Sequence, residues 1–232
     1  MIGRPRVHHR ATDSTNERAR ALASAGAPHG TLVTADAQSA GRGRQGRSWV
    51  APPGRALLMS LVVRDFGEQE LLPLAVPVAV CEASEYVAPV ECRIKWPNDV
   101  WVDGRKLAGI LVEGRPQEGW AVLGIGLNVS TQENEFPAEL RDAATSLALA
   151  AGTPVDRGIL LETLLRTLES RLAAPAGDIL GAWRERDALR GARVRWRDGE
   201  GTAAGVTATG ALIVDQDGKH VELDAGEVHL LR

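Results

Sequence analysis

The 232-residue chain is 44% hydrophobic and 25% charged, and its formal net charge at pH 7 is −3. These values are typical of a globular protein of one or two domains, and the acidic balance argues against a general nucleic-acid coat protein. The longest nearly apolar run, residues 71–81, is too short to cross a bilayer, and the basic N-terminus has no apolar signal segment, so we expect a cytoplasmic protein with no membrane association.

Four elements are predicted in the first half of the chain: a helix over 18–25, strands over 31–35 and 57–64, and a helix over 68–86. Short polar residues before position 18 are typical of a helix start, and a glycine-containing stretch follows the helix. Pro73 and Pro77 predict that regular helix in the last segment is mainly confined to its second half.

The second half of the chain begins with three consecutive strands, predicted over 93–102, 106–113 and 120–130. Asp103-Gly104 is a hairpin signal between the first two. Apolar residues at helical spacing predict a helix over 156–172, and a shorter helix is expected over 179–188. From residue 191 onward, short alternating runs punctuated by Gly and Asp predict a small all-β appendage.

Two residue types are rare enough to be informative. Cys81 and Cys92 have neither metal-binding spacing nor a disulfide framework, so we expect free, buried thiols in a reducing compartment. Of the 27 basic residues only Lys95, Lys106 and Lys219 are lysines. Because Lys95 and Lys106 are close together among other unusual residues, a chemical role is favoured for this region.

Residues 41–48 read Gly-Arg-Gly-Arg-Gln-Gly-Arg-Ser, a composition suited to phosphate. Glycine permits conformations that point successive N–H groups at one anion, and arginine supplies a permanently charged fork. The segment fits the dinucleotide pattern G-x-G-x-x-G and nearly fits the P-loop pattern, with Arg47 in place of lysine. Both patterns need a helix at the loop, whereas Pro52 and Pro53 follow here. Anion binding is therefore expected without either familiar architecture.

Two polar clusters precede residue 50, and each has two interpretations. Residues 14–16, Ser-Thr-Asn, are either a plain helix N-cap or a set of groups facing a ligand that offers both donors and acceptors. Residues 38–49 are either a disordered nucleic-acid-binding segment or a mobile loop that becomes ordered over a phosphate ligand. The flanking strands favour the loop, and Trp49 would then lie against a nucleotide base.

Two further clusters lie in the predicted strands. Residues 95–99, Lys-Trp-Pro-Asn-Asp, contain either one structural ion pair or a lysine directed at a ligand carboxylate or phosphate, with Asp99 or Asn98 orienting metal or water. Residues 124–128, Gly-Ile-Gly-Leu-Asn, are either a bulged strand or a strand that a ligand approaches closely, with Asn128 donating to an oxyanion.

Taken together, the clusters resemble the biotin–protein ligases, and the resemblance covers essentially the whole chain. The segments that carry it are, in chain order, Asp13-Ser14-Thr15-Asn16, residues 38–47, Lys95-Trp96-Pro97-Asn98-Asp99, residues 104–113 and Gly124-Ile125-Gly126-Leu127-Asn128. Because few residues precede Ser14, the chain resembles the short, enzyme-only form without the N-terminal DNA-binding domain, and no DNA binding is expected.

The resemblance implies an α+β fold related to class II aminoacyl-tRNA synthetases. A mixed β-sheet catalytic domain with flanking helices is expected over residues 1–188, and a small SH3-like β-barrel over 189–232. It also implies a ligase that uses ATP, biotin and Mg²⁺ to form biotinyl-5′-AMP. A lysine of the biotin carboxyl carrier domain of acetyl-CoA carboxylase or a related carboxylase then receives the biotin. A homodimer is compatible with the sequence, which shows no obvious interface pattern.

By the same resemblance, individual residues receive roles. Catalytic roles fall to Lys95, Arg42 and Arg44. The expected biotin-binding residues are Ser14, Thr15, Asn16, Gln38, Gly41, Arg42, Gly43, Arg44, Lys95, Gly109 and Ile110. The expected ATP and adenylate ligands are Arg42, Arg44, Arg47, Trp49, Lys95 and Asn128. The metal ligands are not identified, and Asp99 is the candidate.

Two alternatives stay open at this point. A lipoate–protein ligase shares the fold and the adenylation chemistry, but lipoate has no ureido group to match the polar residues Ser14, Thr15, Asn16 and Gln38. A nucleic-acid-binding protein that uses Arg42, Arg44 and Arg47 would show steeply salt-dependent affinity for nucleic acid and no ATP–pyrophosphate exchange.

Overall fold

The computed structural model of the chain describes residues 2–64 and 71–231. The helices in these ranges are α1 (Thr15–Ser24), α2 (Leu72–Val87), α3 (Leu147–Ala151), α4 (Arg157–Leu172) and α5 (Ala176–Glu185). The first seven strands are β1 (Arg6–His9), β2 (Leu32–Ala35), β3 (Ala56–Arg64), β4 (Arg93–Lys95), β5 (Asp99–Val102), β6 (Arg105–Arg115) and β7 (Trp120–Asn128). The remaining strands are β8 (Arg193–Trp196), β9 (Gly199–Val206), β10 (Leu212–Gln216), β11 (Lys219–Leu223) and β12 (His229–Leu230).

A seven-stranded mixed sheet forms the centre of the molecule, with the strand order β1-β2-β3-β7-β6-β5-β4. β1 and β2 are parallel, and every other neighbouring pair is antiparallel. The hairpin between β5 and β6 turns at Asp103 and Gly104, which both have positive φ, as the sequence predicts. This arrangement confirms the expected α+β class with a mixed sheet.

The two faces of the sheet are covered differently. α2 lies on one face, and α4 and α5 pack against α2. This side contains the main buried core, with Met59, Leu123 and Leu160 among its members. α1 covers β2, β3 and β7 on the other face through a smaller cluster that includes Ala19 and Trp120. Part of that face is left open beside the N-terminus of α1, at Gly109, Gly124 and Gly126.

A second, five-stranded antiparallel sheet has the order β11-β10-β9-β8-β12. It confirms the predicted small β unit at the C-terminus. β11 and β12 form the two edges of this sheet and do not pair with each other among the described residues. Its buried residues Val194, Leu212 and Val228 belong to the same hydrophobic core as the main sheet.

Several predicted elements need correction. The strand expected over 93–102 is two strands, because the chain turns at Trp96-Pro97-Asn98 between β4 and β5. Regular helix in α2 begins at Leu72 and contains Pro77, so the expectation that helix is confined to the second half is wrong; residues 68–70 lie outside the described ranges. β1 and α3 were not predicted.

The remaining elements agree with expectation. The predicted helix over 156–172 is α4, with Asp156 as its N-cap. As expected from Pro52 and Pro53, no helix follows residues 41–48. Cys81 and Cys92 are free and buried. Of the helices in residues 2–64 and 71–231, none combines the length and the apolar character that crossing a bilayer would require.

Candidate active site

A cavity of about 260 Å³ lies beside the N-terminus of α1, between the main sheet and residues 41–49, which we call the basic loop. Its floor is formed where β6 and β7 pair, at Gly109 opposite Gly126 and at Leu111 opposite Gly124. Because side chains alternate across a strand, these four positions share one face of the sheet. Three glycines at these four positions leave the floor low enough for other groups to approach.

Two of these glycines have specific neighbours. A Cβ on Gly124 would overlap Oδ1 of Asn16, and a Cβ on Gly126 would lie 2.5 Å from Cε2 of Trp49. The absence of side chains therefore lets Asn16 and the indole of Trp49 lie directly on the sheet. The glycines at 124 and 126 are thus explained by side chains of the same chain that approach the strand, and β7 keeps a continuous register with both neighbours, so the bulge interpretation is wrong.

Buried polar side chains form one end of the cavity. Ser14, Thr15 and Asn16 are 2–4% exposed, and the side chain of Ser14 makes no capping hydrogen bond on α1. Oε1 of Gln38 accepts from the Thr15 backbone N–H (2.7 Å) and hydroxyl (3.1 Å). Ser60 Oγ, fully buried on β3, lies 2.8 Å from Thr15 Oγ1 and 2.6 Å from Asn16 Oδ1. The result is a connected, neutral hydrogen-bonding surface.

Cationic side chains form the other end. Lys95 ends β4 and pairs in register with Asp99 at the start of β5. Lys106 Nζ lies 2.7 Å from Asp99 Oδ1 and 5.8 Å from the Trp49 ring centroid, while Lys95 Nζ lies 5.2 Å from the Trp101 ring centroid. One carboxylate therefore lies among several cations, and a net positive charge remains for an anionic ligand.

The position of this lysine cluster is fixed by hydrogen bonds between Asn98 and β6. Asn98 Nδ2 donates to the Ile110 carbonyl (2.8 Å), and the Ile110 N–H donates to the Asn98 carbonyl (2.9 Å). Trp96 is buried, and its indole N–H donates to the Gly210 carbonyl of the C-terminal sheet at 3.0 Å. The turn between β4 and β5 is thus held on both sides.

Burial lowers the pKa of two of these cations. Loss of solvation lowers the pKa of Lys95, opposed by Asp99 and reinforced by Lys106 and Arg47. Loss of solvation also lowers the pKa of Arg44, again opposed by Asp99. Both groups would therefore gain from a bound anion, which restores the stabilisation that burial removes.

The basic loop, residues 41–49, is a closed hairpin over the cavity. The Gly43 N–H donates to the Arg47 carbonyl (2.7 Å), and the Trp49 N–H donates to the Gly41 carbonyl (2.9 Å). Gln45 and Gly46 have positive φ at its tip. Trp49 Nε1 is buried and has no hydrogen-bond partner within the described ranges.

The arginines of this loop have different partners. Arg42 pairs with Glu17 and Glu113, Arg47 pairs with Glu227 of the C-terminal unit, and Arg44 lies half-buried near Asp99. Arg44 is thus the loop arginine with the fewest carboxylate contacts among the described side chains. Residues 226–229 also line the cavity, so the C-terminal unit contributes to its wall.

The structure brings most of the sequence-predicted site residues together. Those that line the cavity are Ser14, Thr15, Asn16, Gln38, Arg42, Gly43, Arg44, Arg47, Trp49, Lys95, Asp99, Gly109 and Ile110. Gly41 lies behind the lining, where it bonds Trp49. Asn128 is also outside it: its Nδ2 donates to the Thr145 carbonyl at 3.0 Å.

Several site residues were missed by sequence reasoning. The scarcity of lysine singled out Lys106, and the strand glycines singled out Gly124 and Gly126, but none was given a role. Glu113 lies in the segment 104–113 that carries the resemblance, but it has no role there, and no signal points to Ser60 or to the 226–229 segment. Ser60 and Glu113 lie outside the cavity lining and contact Asn16. Within residues 2–64 and 71–231, no group of three or more His, Cys, Asp or Glu side chains is arranged to hold a metal ion.

Comparison with known proteins gives consistent matches. Residues 9–130 match the biotin/lipoate A/B protein ligase family, and residues 191–231 match the biotin protein ligase C-terminal domain. The chain is 38% identical to the biotin–[acetyl-CoA-carboxylase] ligase of Mycobacterium tuberculosis over 95% of this chain and 87% of that protein. It is 42% identical to the bifunctional ligase/repressor BirA of Bacillus subtilis over 74% of this chain, but it spans only 54% of that relative's length.

The structural match is also close. A biotin protein ligase from Aquifex aeolicus, solved in complex with biotin and ATP, superposes with a TM-score of 0.86 at 28% identity, covering 99% of both chains. The overlap extends over both sheets, so the likeness includes the C-terminal unit and the cavity wall that it supplies.

Proposed function

Because the chain belongs to the biotin/lipoate A/B protein ligase family, we propose that it is a biotin–protein ligase. It activates biotin with ATP to form biotinyl-5′-AMP and transfers the biotin to a lysine of a carrier domain. The acceptor would be the biotin carboxyl carrier domain of acetyl-CoA carboxylase or a related carboxylase.

The observation that carries this proposal is the chemical difference between the two ends of the cavity. Ser14, Thr15, Asn16 and Gln38 provide uncharged donors and acceptors, which suit the N–H groups and carbonyl of a ureido ring. Lys95 and Lys106 provide positive charge at the other end, which suits a carboxylate and a phosphate. Biotin has a ureido ring at one end and a carboxylate at the other.

The first step brings two anions together. A biotin carboxylate oxygen forms a bond to the α-phosphorus of ATP as the bond to pyrophosphate breaks. Lys95, Lys106 and Arg44 would lower the repulsion between the carboxylate and the phosphates, and a partly buried site strengthens this effect. Arg42 and Arg47 could add to it only after leaving Glu17, Glu113 and Glu227.

The second step forms the amide. The uncharged amine of the acceptor lysine attacks the carbonyl carbon of the mixed anhydride, the carbon–oxygen bond to phosphate breaks, AMP leaves, and the nitrogen releases one proton to solvent. The basic loop would shield the anhydride from water until the acceptor arrives. Trp49, which lies on Gly126, is the proposed adenine neighbour.

A Mg²⁺ ion fits this site only in part. Asp99 offers a carboxylate in the cavity, but Lys106 already contacts one of its oxygens. Magnesium often takes one or two protein carboxylates together with substrate phosphates and water. Asp99 is therefore the proposed protein ligand, and the ion would supply charge neutralisation on the phosphates.

The test is ATP–pyrophosphate exchange with and without biotin, followed by transfer to a purified carrier domain. We expect exchange only when biotin is present, and covalent biotin on the carrier lysine. Exchange driven by lipoate and not by biotin would assign the chain to the other branch of the family. Absence of exchange with either acid, together with salt-sensitive binding to nucleic acid, would overturn the ligase proposal.

A further inference from the structure

Glu113 lies on β6, outside the cavity lining, and contacts both Asn16 at the polar end and Arg42 of the basic loop. Its Oε2 accepts a hydrogen bond from Asn16 Nδ2 at 2.8 Å, and its Oε1 lies 3.3 Å from Arg42 Nη2. The side chain is 23% exposed. One carboxylate therefore joins a residue of α1 to a residue of the loop.

The Glu113 carboxylate is the nearer of two acceptors that orient the Asn16 amide; the other, the Leu111 carbonyl, lies 3.5 Å from Asn16 Nδ2. A carboxylate only accepts hydrogen bonds, so the NH₂ group of Asn16 must face Glu113 and its Oδ1 must face Ser60. The reverse orientation would place Oδ1 against the carboxylate. Asn16 Oδ1 lies on Gly124, so an error in this orientation would alter the neutral end of the cavity.

Arg42 completes a ring of alternating charges. Glu17 pairs with Arg42 and with Arg20 (3.1 Å), and Arg20 lies 3.7 Å from Glu113. With the loop in place, two carboxylates face two guanidinium groups. If Arg42 moved away with the loop, the two carboxylates of Glu17 and Glu113 would share the single cation Arg20. This would leave an excess of one negative charge, so the four-residue ring favours the closed loop.

We propose that Glu113 is a positioning residue that couples the neutral end of the cavity to closure of the basic loop. It orients Asn16 with one oxygen and retains Arg42 with the other. The inference deepens the proposed function, on which its ligand-binding part rests. In this proposal Arg42 holds the loop closed. It does not contact phosphate directly as long as its ion pairs with Glu17 and Glu113 are intact.

The chain offers variants that separate the two contacts. Glu113→Ala removes both, Glu113→Gln keeps an acceptor for Asn16 but loses the charge that retains Arg42, and Glu17→Gln affects only the ring. Glu200→Gln is the matched control, because Glu200 likewise pairs with two arginines, Arg193 and Arg195, at an exposed position in the C-terminal sheet. All four variants would first be compared with wild type by circular dichroism and thermal unfolding.

Two measurements follow the two functions of Glu113. Biotin binding by calorimetry reports the polar end, and hydrogen exchange at the Gly43 and Trp49 amides of the ligand-free protein reports loop closure. Glu113→Ala should weaken biotin binding by about tenfold and speed loop exchange, because the buried Asn16 amide loses the nearer of its two acceptors and keeps only the Leu111 carbonyl at 3.5 Å. Glu113→Gln and Glu17→Gln should speed loop exchange while biotin affinity stays within about threefold of wild type, since an acceptor for Asn16 remains.

Faster loop exchange with nearly unchanged biotin affinity in Glu113→Gln and Glu17→Gln would not be expected if Glu113 only stabilised the fold. Wild-type biotin affinity in Glu113→Ala, or unchanged loop exchange in Glu113→Gln and Glu17→Gln, would overturn the proposal. So would equal effects in Glu200→Gln. If wild-type protein bound no biotin, the proposed function would fail, and loop exchange in the ligand-free variants would still decide whether Glu113 retains the loop.

Discussion

Gly124 lies where the candidate site has no room for a side chain. A methyl group there would overlap Asn16 Oδ1. The Asn16 amide cannot move freely, because Ser60 holds its Oδ1 and Glu113 holds its Nδ2. Forcing an extra methylene into a packed position costs about 1–3 kcal/mol, so Gly124→Ala should weaken biotin binding roughly tenfold or more. Calorimetric titration with biotin would measure this.

Gly181 provides the matched control for that substitution. It lies in α5, where a Cβ would meet nothing within 4 Å. Gly181→Ala should leave biotin affinity unchanged and stabilise the helix by up to about 1 kcal/mol. Equal biotin affinity in the two variants would show that Asn16 is not part of the binding surface.

Lys95 is the residue on which we expect adenylate formation to depend most. Removing a cation that faces developing charge in a partly buried site costs about 10²–10³ in rate, so Lys95→Ala should lower biotinyl-AMP formation by about that factor. Lys219→Ala, on the exposed strand β11, should not. Because burial lowers the pKa of Lys95, wild-type activity should decline with rising pH earlier than for an exposed lysine. Pyrophosphate release measured across alkaline pH would test both expectations.

At the residue scale, the sequence predicts the site where the signal is local. Ser14, Thr15 and Asn16 are adjacent, and the basic loop is one segment, so composition alone marks them. Ser60 and Glu113 carry no such signal: one is a serine in an apolar strand and the other a glutamate near a strand end. Their importance comes from the pairing of β3 with β7 and β6 with β7, which sequence spacing does not specify.

At the scale of single elements, α4 is the clearest case of agreement between sequence and structure. Oδ1 of Asp156 accepts from the backbone N–H groups of Gly158 (2.7 Å) and Ile159 (2.9 Å). Asp156→Ala leaves both donors without this acceptor and should lower the free energy of unfolding by about 1 kcal/mol. Urea denaturation would measure the loss.

The conservative substitution at the same position gives the comparison. Asp156→Asn keeps an acceptor oxygen and loses only the charge beside the helix N-terminus, worth about 0.3–1 kcal/mol. We therefore expect it to be less destabilising than Asp156→Ala. If the two variants were equally stable, the cap would contribute nothing beyond its charge.

α2 shows why an element can contradict its own sequence pattern. Pro77 removes one helical hydrogen bond, at a cost of about 3 kcal/mol or more. Eleven residues of α2 are buried, including Leu74, Val76 and Val80, and each large apolar side chain contributes about 1.5–3 kcal/mol on burial. The free energy gained from tertiary packing therefore exceeds the cost of the proline. Helix propensity is a local property of the sequence and does not include the contribution of packing.

On the scale of the whole molecule, the segment that joins the two sheets carries a pH-sensitive group. Asp187 follows α5, pairs with Ile94 at the edge of the main sheet, and accepts from the Leu189 N–H at 2.9 Å. Burial raises the pKa of Asp187 above its usual value of 3.8. The folded state thus binds this proton more tightly than the unfolded state. Protonated Asp187 therefore stabilises the folded protein. This contribution is complete below pH 3.8 and is lost as pH rises through the folded-state pKa of Asp187.

Asp187→Asn removes that titration. Relative to wild type, the variant should gain stability as pH rises from about 3.8 through the folded-state pKa, while the other titrating groups affect both proteins alike. Urea midpoints for the two proteins between about pH 3.5 and 7 would give the difference. A stability difference that does not change with pH would show that Asp187 titrates normally in the folded protein.

The division that we propose at residues 188 and 189 separates two sheets, but their apolar residues form one core. Val214 and Val206 of the C-terminal sheet belong to the same buried cluster as Leu74 and Trp96. The alternating pattern after residue 191 predicts the small β unit, whereas its docking depends on contacts between distant segments, such as Trp96 with Gly210. We therefore expect both sheets to unfold in one transition.

Cooperative unfolding can be tested with one probe for each sheet. Tryptophan fluorescence follows mainly the larger unit, because five of the six tryptophans precede residue 189, and hydrogen exchange in β9 and β10 follows the smaller unit. Val214→Ala should lower stability by roughly 2 kcal/mol and shift both probes equally. Ile159→Ala, at an exposed position on α4, should change stability by less than about 0.5 kcal/mol. Separate midpoints, with Val214→Ala moving only the exchange of β9 and β10, would mean that the C-terminal sheet opens independently of the candidate site whose wall it helps to form.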